Sequence, residues 1–136
     1  MLLDASDCQL VLVDYQARLM PAIAHGDEVL RRVGHVLRQV MRGTDIFGRV
    51  GGEEFAVLLP STGLEGARLV AERLRRAMAA DTVTRADGTV IRYTVSIGLA
   101  PMQAGIAGLE ELLERADRAL YAAKAAGRDR LVVDGE

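Results

Sequence analysis

The sequence predicts a mixed α/β fold of the α+β type, with one sheet packed against helices. Three observations support this prediction. Short runs rich in Val, Ile and Leu alternate with longer stretches whose apolar residues recur at helical spacing. Glycine-containing turns join two pairs of these runs into hairpins. Half of the 136 residues are apolar, which suffices for one packed core.

The first strand and the first helix are predicted near the N-terminus. "CQLVLVD" is an apolar, β-branched run that ends in Asp14, which is typical of a buried strand. The next segment is ambiguous because Pro21 disfavours helix at the residue before it. Asp27 is a candidate N-cap for the first helix. The apolar face of that helix comprises Val29, Leu30, Val33, Val36, Leu37, Val40 and Met41.

A hairpin and a second helix follow. "DIFGRV" and "EEFAVLLP" predict two strands joined by a two-residue turn at Gly51 and Gly52. Thr62 and Glu65 are three residues apart and predict a capping box at the start of the second helix. The stripe expected to be buried comprises Leu64, Ala67, Val70, Ala71, Leu74, Ala77 and Met78.

The rest of the chain completes the pattern. "TVTRADGTVIRYTVSIGLA" predicts a second hairpin that turns at Asp87 and Gly88, and "RLVV" predicts a last strand. Between them, "GLEELLERADRALYAAKAAG" predicts a third helix that Gly127 ends. The order β, helix, hairpin, helix, hairpin, helix, β is that of a ferredoxin-like βαββαβ core with an extra hairpin. No linker divides the chain, so we expect residues 1–136 to form a single domain.

Composition excludes several classes of function. The net charge of −2 gives no general electrostatic reason to bind nucleic acid. Cys8 is the one cysteine, so no internal disulfide forms and a reducing, cytoplasmic compartment is expected. No apolar run approaches the ~18 residues of a membrane span. The start, "MLLDASDCQL", lacks the basic cluster of a signal peptide.

Three carboxylates are candidates for a metal site. Antiparallel strands could bring Asp14 within reach of the turn beside Glu53 and Glu54. Carboxylates that converge repel unless a cation lies among them, and Mg²⁺ commonly takes two carboxylates plus substrate phosphates. In-line nucleotidyl transfer needs such a cation, because negative charge develops on the attacking and leaving oxygens. The alternative is that Glu53 and Glu54 alternate faces of a strand and one simply faces water.

Several motifs in order resemble the GGDEF diguanylate cyclase family. They are "RVGGEEFAVLLP", "VSIGLA" and "ADRALYAAKAAGRDR", and the resemblance runs from about residue 25 to residue 133. It implies a palm-like nucleotidyl-cyclase fold that condenses two GTP into cyclic di-GMP with Mg²⁺ or Mn²⁺. It also implies a homodimer in which each half holds one GTP.

The resemblance assigns catalytic and metal-binding roles. Glu53 would be a metal ligand and the central catalytic carboxylate that helps to activate the ribose 3′-hydroxyl. Glu54 would be a second metal-site carboxylate, and Asp14 would take the place of the family's first metal-binding Asp. Gly51 and Gly52 would let the substrate approach the backbone.

It also assigns substrate contacts. Asp27, in "HGDEVL", would contact guanine, and Lys124 and Arg128, in "AAKAAGRDR", would bind the triphosphate. The alternative for these two cations is that they are ordinary charges at the C-terminal end of a helix, where cations are favoured.

"RGTD", from Arg42 to Asp45, matches the family's inhibitory RxxD motif, at which the product binds. A bidentate arginine suits a guanine edge, and Arg73 would add a further product contact. The alternative is an arginine at a helix end beside an aspartate in a turn.

The N-terminal segment departs from the family pattern D-x-D-x-F-K-x-I-N-D-x-x-G-H-x-x-G-D. "DYQARLMPAIAHGD" is about four residues shorter and lacks the Phe-Lys pair, the Asn-Asp pair and the Gly-His. Residues 1–23 instead resemble the opening of isochorismatase-like cysteine hydrolases, in which Asp14 would belong to an Asp-Lys-Cys triad. The sequence thus predicts a join near Ala24 between that segment and a GGDEF core at 24–136, natural or engineered. We expect Cys8 to be an ordinary thiol and assign His25 no metal role.

Three functions remain open from the sequence. The first is a diguanylate cyclase domain impaired by its altered N-terminal segment. The second is a non-catalytic module that binds cyclic di-GMP or GTP, and the third is a chimeric scaffold that only folds. The intact "GGEEF", Lys124 and Arg128 favour the first, and the missing Asn and Lys favour the other two.

Overall fold

The computed structural model of the chain describes residues 9–17, 26–103 and 105–136. Cys8, His25 and the join proposed near Ala24 lie outside the described residues. The elements within them, in chain order, are β1 (Gln9–Ala17), α1 (Gly26–Val40), β2 (Ile46–Arg49), β3 (Glu54–Leu59), α2 (Leu64–Ala79), β4 (Thr82–Thr84), β5 (Val90–Pro101), α3 (Leu109–Ala125) and β6 (Leu131–Val133). No helix in the described ranges is long and apolar enough to cross a membrane.

The strands form one sheet in the order β2-β3-β1-β5-β4, with β6 also paired to β5. β1 is central and runs antiparallel to both β3 and β5, and β2 is antiparallel to β3. The order β2-β3-β1-β5 is that of an antiparallel ferredoxin-like sheet, so the predicted βαββαβ core is confirmed. β4 belongs to the extra hairpin with β5, and β6 runs parallel to β5.

The first strand and the first helix differ from the prediction at their boundaries. β1 continues to Ala17 because it stays paired with the long β5 as far as Tyr93. Asp14 therefore lies inside a strand and not at its end. α1 already includes Gly26, so Asp27 belongs to the first turn of the helix and is not its N-cap.

The turn between β2 and β3 is longer than predicted. The Val50 amide donates to the Glu54 carbonyl at 2.9 Å, which closes a loop of residues 51–53. The loop thus has three residues, and Glu53 is the last of them. Glu54 is the first residue of β3.

The predicted capping box at the start of α2 is wrong. The N-cap position is Gly63, which makes no side-chain cap hydrogen bond. The Thr62 hydroxyl is used elsewhere, because it donates to the Pro60 carbonyl at 2.9 Å. The apolar stripe of this helix is nevertheless as expected, with Ala67, Leu74 and others buried.

The sheet separates two apolar clusters. Val11 and Val13 of β1 belong to the larger cluster, which includes buried residues of α1 and α2. Leu10 and Leu12 belong to the smaller cluster, which includes Leu112 and other residues of α3. Because side chains alternate along a strand, the even-numbered Asp14 lies on the face that α3 covers.

Gly98 of β5 lets α3 approach the sheet closely. A Cβ on Gly98 would lie 2.3 Å from the carbonyl oxygen of Ala116 and 2.4 Å from the amide nitrogen of Leu120. Both atoms belong to helix backbone, which cannot rotate away as a side chain can. Gly98 is paired with Leu12, so this contact sets the height of α3 above the strand that carries Asp14.

We predict that Gly98→Ala destabilises the protein by about 1–3 kcal/mol or more, the range for overpacking of a close-packed interior. Chemical denaturation monitored by circular dichroism measures the change. Gly48→Ala is the matched control, because Gly48 is also a strand glycine and nothing lies within 4 Å of a Cβ there. Equal stability of the two variants would contradict the close approach of α3.

Candidate functional site

Asp14 and Glu54 are direct neighbours on the two central strands β1 and β3. Asp14 is buried, with 5% of its surface exposed, and Glu54 is half-buried. Both lie on the sheet face that α3 covers only in part. Two carboxylates placed side by side away from bulk water repel each other, and each loses hydration. The arrangement therefore needs a positive partner.

Lys124 of α3 supplies that partner in the described structure. Its Nζ forms an ion pair with Oδ2 of Asp14. The other oxygen of the same carboxylate, Oδ1, is buried and has no hydrogen-bond partner. A buried polar atom without a partner costs free energy, so Asp14 has the capacity to accept a further donor or a cation.

The pKa of Glu54 reflects the burial and the negative charges around it. Burial raises the pKa of the Glu54 carboxyl, and the negative charge of Asp14 raises it further. Asp117 acts in the same direction, Lys124 lowers the pKa, and Glu53 has the smallest effect of these groups. The sequence reasoning missed Asp117. Asp117 lies seven residues before Lys124, which is about two helical turns, so the two side chains share one face of α3. This spacing was the sequence signal for Asp117.

The three-residue turn beside this pair is held by Arg49, which sequence reasoning also missed. Its Nε donates to the Gly51 carbonyl at 3.0 Å and its Nη2 donates to the Gly52 carbonyl at 2.9 Å. Neither glycine has a positive φ, and no atom lies within 4 Å of a Cβ built on Gly52. The backbone conformation does not itself require glycine at Gly52. The open space at Gly52 is consistent with the close approach of a ligand to that residue.

The end of α3 places the two predicted phosphate-binding cations. Gly127 has a φ of 120°, and the amide of Arg128 donates to the Ala123 carbonyl at 3.0 Å. The Gly127 amide donates to the Lys124 carbonyl at 3.3 Å, which completes a Schellman motif. Gly127 thus ends the helix as predicted. Lys124 reaches Asp14, whereas Arg128 is exposed just beyond the helix end.

The donor set fits a hard divalent cation held jointly by protein and substrate. Asp14 and Glu54 provide carboxylate oxygens from adjacent strands, and Asp14 has one unpartnered buried oxygen. Mg²⁺ is usually bound by one or two carboxylates together with substrate phosphates. The described residues contain no group of three or more His, Cys, Asp or Glu that could hold a metal ion. The structure brings Asp14 and Glu54 together on adjacent strands, and Glu53 lies in the turn directly before Glu54.

The second predicted site is built around Arg42 and Asp45. The carboxylate of Asp45 accepts from the Arg42 backbone amide at 2.8 Å and from Nη2 of the same arginine at 2.9 Å. Nη2 also donates to the Thr62 hydroxyl at 2.6 Å. The Asp45 side chain is fully buried and half of the Arg42 side chain is exposed. The neighbouring carboxylate raises the pKa of Arg42, so this guanidinium stays charged.

The remaining predicted contacts lie on helices. Asp27 is the second residue of α1. Arg73 is exposed on α2, where it lines a surface depression of about 460 Å³. Among the described residues, no hydrogen bond or ion pair joins Arg73 to Arg42 or Asp45. The structure therefore places the RxxD pair together and leaves Arg73 as a separate surface cation.

A family model described as diguanylate cyclase, GGDEF domain, matches residues 23–130. Diguanylate cyclase DgcP of Pseudomonas aeruginosa is 43% identical over 134 residues, which cover 96% of this chain and 20% of DgcP. This chain spans between a fifth and about a third of the length of the first curated relatives that it matches.

Solved structures agree with these sequence matches. The GGDEF domain of DgcB from Caulobacter crescentus, in complex with c-di-GMP, superposes with a TM-score of 0.84 at 28% identity, covering 95% of this chain and 76% of that one. The active GGEEF domain of a diguanylate cyclase from Vibrio cholerae superposes with a TM-score of 0.78 at 28% identity, covering 94% of this chain and 84% of that one.

We predict that Glu54→Gln stabilises the protein at neutral pH in the absence of divalent cations. A raised pKa means that the folded state binds the Glu54 proton more tightly than the unfolded chain does. The contribution of Glu54 to stability is therefore present at low pH and is lost as the pH rises through its folded-state pKa. Thermal unfolding at pH 7 and at pH 4 measures the effect, which should shrink at the lower pH.

The matched control for this prediction is Glu114→Gln, which changes an exposed glutamate of α3. It should leave the unfolding temperature nearly unchanged at both pH values. A loss of stability in Glu54→Gln at pH 7, with the control unaffected, would mean that the carboxylate pair is not strained by its own charge.

Proposed function

Because the chain belongs to the GGDEF family of diguanylate cyclase domains, we propose that it condenses two molecules of GTP into cyclic di-GMP. The observation that carries the proposal is the pair of adjacent carboxylates, Asp14 and Glu54, with Lys124 on the same side of the sheet. Metal-assisted phosphoryl chemistry needs acidic ligands and a cation for phosphate within one site. These three residues come from β1, β3 and α3, so only the folded chain provides them together.

Asp14 and Glu54 are the proposed protein ligands of Mg²⁺ or Mn²⁺, with substrate phosphates completing the coordination. When bound, such an ion offsets the negative charge on the attacking and leaving oxygens. Glu53 lies in the turn, directly before Glu54. From that position we assign it the task of accepting the proton of the ribose 3′-hydroxyl, with metal ligation as a further role.

The nucleotide is proposed to lie between the turn and the end of α3. Lys124 and Arg128 bind the triphosphate, and Asp27 accepts from the guanine. The open space above Gly52 allows the phosphates to approach the backbone of the turn. Each site holds one GTP, so bond formation between two nucleotides requires two copies of the chain to meet face to face.

The product is proposed to bind at Arg42 and Asp45, with Arg73 as a further contact. The guanidinium is oriented by Asp45 and Thr62 and remains half exposed, which leaves donors for a guanine edge. The DgcB domain was solved in complex with c-di-GMP, which supports a site for this ligand in the family.

The altered N-terminal segment is the reason to propose impaired activity. The missing Asn and Lys remove a guanine contact and a phosphate contact that the family pattern would supply. The finer hypothesis, that residues 1–23 derive from an isochorismatase-like hydrolase, gains no support from the comparisons. The match to DgcP covers 96% of the chain, which leaves about five of 136 residues outside it. A non-catalytic module that binds cyclic di-GMP or GTP is the second candidate function.

We predict that the chain makes cyclic di-GMP from GTP and Mg²⁺, with a rate that rises steeply with protein concentration. A lost hydrogen bond that leaves a buried partner unpaired costs ~1–3 kcal/mol. The Michaelis constant for GTP should therefore be roughly ten- to a hundredfold above that of the matching DgcP domain measured in parallel. Glu53→Gln should abolish product formation, whereas the exposed Glu114→Gln should not. Chromatography of the product provides the measurement.

Two outcomes of this assay would contradict the proposal in different ways. No product at any protein concentration would favour the non-catalytic module. A Michaelis constant equal to that of DgcP with very low turnover would place the damage at the metal-binding carboxylates instead of the nucleotide pocket.

We also predict that cyclic di-GMP binds through Arg42 even if catalysis is lost. Charged hydrogen bonds contribute about 1.5–3 kcal/mol each, so Arg42→Ala should weaken binding at least tenfold by calorimetry. This change also removes the side-chain partner of the buried Asp45 and leaves it only the backbone amide of residue 42, so the unfolding temperature is measured beside it. Arg38→Ala, an exposed arginine in the last turn of α1, is the control. Unchanged affinity in folded Arg42→Ala would rule out this site.

A further inference from the structure

The ion pair between Lys124 and Asp14 joins two residues that the proposed function uses separately. Asp14 is a proposed metal ligand, and Lys124 is a proposed ligand of the triphosphate. In the described structure they form an ion pair that joins α3 to β1. Under the proposed function the same lysine would have two alternative partners, Asp14 and the triphosphate.

The site provides a reason for this arrangement. Asp14 is buried beside the half-buried Glu54, and Asp117 of α3 adds further negative charge near them. Adjacent carboxylates with little water are costly unless a cation offsets them. Lys124, with 30% of its side chain exposed, is the cation that the described structure sets against Asp14.

A divalent cation and the Lys124 ammonium cannot share the Asp14 carboxylate without repulsion, because both are positive and both would lie within a few ångströms. A metal ion that bound alone would compete with Lys124 for the negative charge of Asp14 and would bring no anion for that ammonium. A metal ion that arrives with a triphosphate brings the anion with it. Lys124 can then move from Asp14 to the phosphates while the metal replaces it on Asp14.

We propose that Lys124 is a built-in counterion that weakens binding of the free metal and makes metal and nucleotide bind cooperatively. The proposal rests on the proposed function, because it takes Asp14 as a metal ligand and GTP as the substrate. Cooperativity of this kind is reciprocal: the nucleotide strengthens metal binding by the same factor by which the metal strengthens nucleotide binding. The site is thereby selective for a metal–nucleotide complex over either component.

Arg128 provides a contrast within the same motif. It is also assigned to the triphosphate, but it is exposed beyond the end of α3 and forms no ion pair with Asp14 in the described structure. Removing either cation should weaken nucleotide binding. Only the removal of Lys124 should strengthen binding of the free metal, and this opposite sign separates a counterion from a residue that merely contacts phosphate.

The test measures Mn²⁺ binding to the intact chain without nucleotide, by electron paramagnetic resonance of free Mn²⁺. Lys124→Gln should raise the Mn²⁺ affinity by about fivefold or more, the lower end of typical coupling free energies. Arg128→Gln should leave it unchanged, and Lys124→Arg, which keeps the charge, should stay close to the wild-type protein. Adding Asp14→Asn to Lys124→Gln should remove the gain.

A second measurement repeats the titration with a non-hydrolysable GTP analogue. The analogue should strengthen Mn²⁺ binding more in the wild-type protein than in Lys124→Gln. Thermal unfolding confirms that each variant is folded, and Lys124→Met serves beside Lys124→Gln as a second neutral replacement. Equal or weaker Mn²⁺ affinity in the folded neutral variants would overturn the proposal. A failure of the proposed function is seen separately, as wild-type protein that forms no cyclic di-GMP from GTP.

Discussion

The central constraint in this protein is the placement of two carboxylates side by side on the middle strands of its sheet. Asp14 and Glu54 are paired across β1 and β3, where burial and the charge of Asp14 both act against ionisation of Glu54. The raised pKa of Glu54 is the local consequence. Lys124 offsets the charge of Asp14 from above the sheet. The cation that α3 places beside Asp14 therefore stabilises the pair.

The position of Lys124 depends on how α3 packs against the sheet, including contacts far from Lys124 itself. Gly98 allows the backbone of α3 to lie against β5, closer than any side chain would permit. The Schellman motif at Gly127 then ends the helix one turn after Lys124. A shift of α3 along or away from the sheet would separate Lys124 from Asp14. The apolar packing of α3 therefore determines whether the ion pair between Lys124 and Asp14 can form.

The proposed product site differs from this carboxylate pair in how its negative charge is stabilised. Asp45 is fully buried, but its carboxylate accepts from the backbone and the side chain of Arg42. Here the negative charge has its own partner within the same short segment, so no distant element is needed. The two proposed sites thus differ in design. At one site the carboxylate is paired within a four-residue segment, which orients the Arg42 guanidinium. At the other, Asp14 is paired through one oxygen with Lys124 of a distant helix, a residue that the proposed catalysis would also use.

The sequence by itself determined the order of elements, the ferredoxin-like core and the local motifs, because hydrophobic period and turn residues are properties of neighbouring positions. The RxxD pair forms within four residues, and Gly127 ends α3 as predicted. The length of β1 is not a local property, because the strand continues to Ala17 through its pairing with Tyr93 of β5. The turn after β2 includes Glu53 as well as the two predicted glycines, because the hydrogen bond between Val50 and Glu54 sets its length at three residues. Only the tertiary structure decided that Asp14 pairs with Glu54 and that Lys124 forms an ion pair with Asp14. These contacts join positions 40 and 110 residues apart in the chain. The second of them depends on how α3 packs on the sheet, which no local pattern specifies.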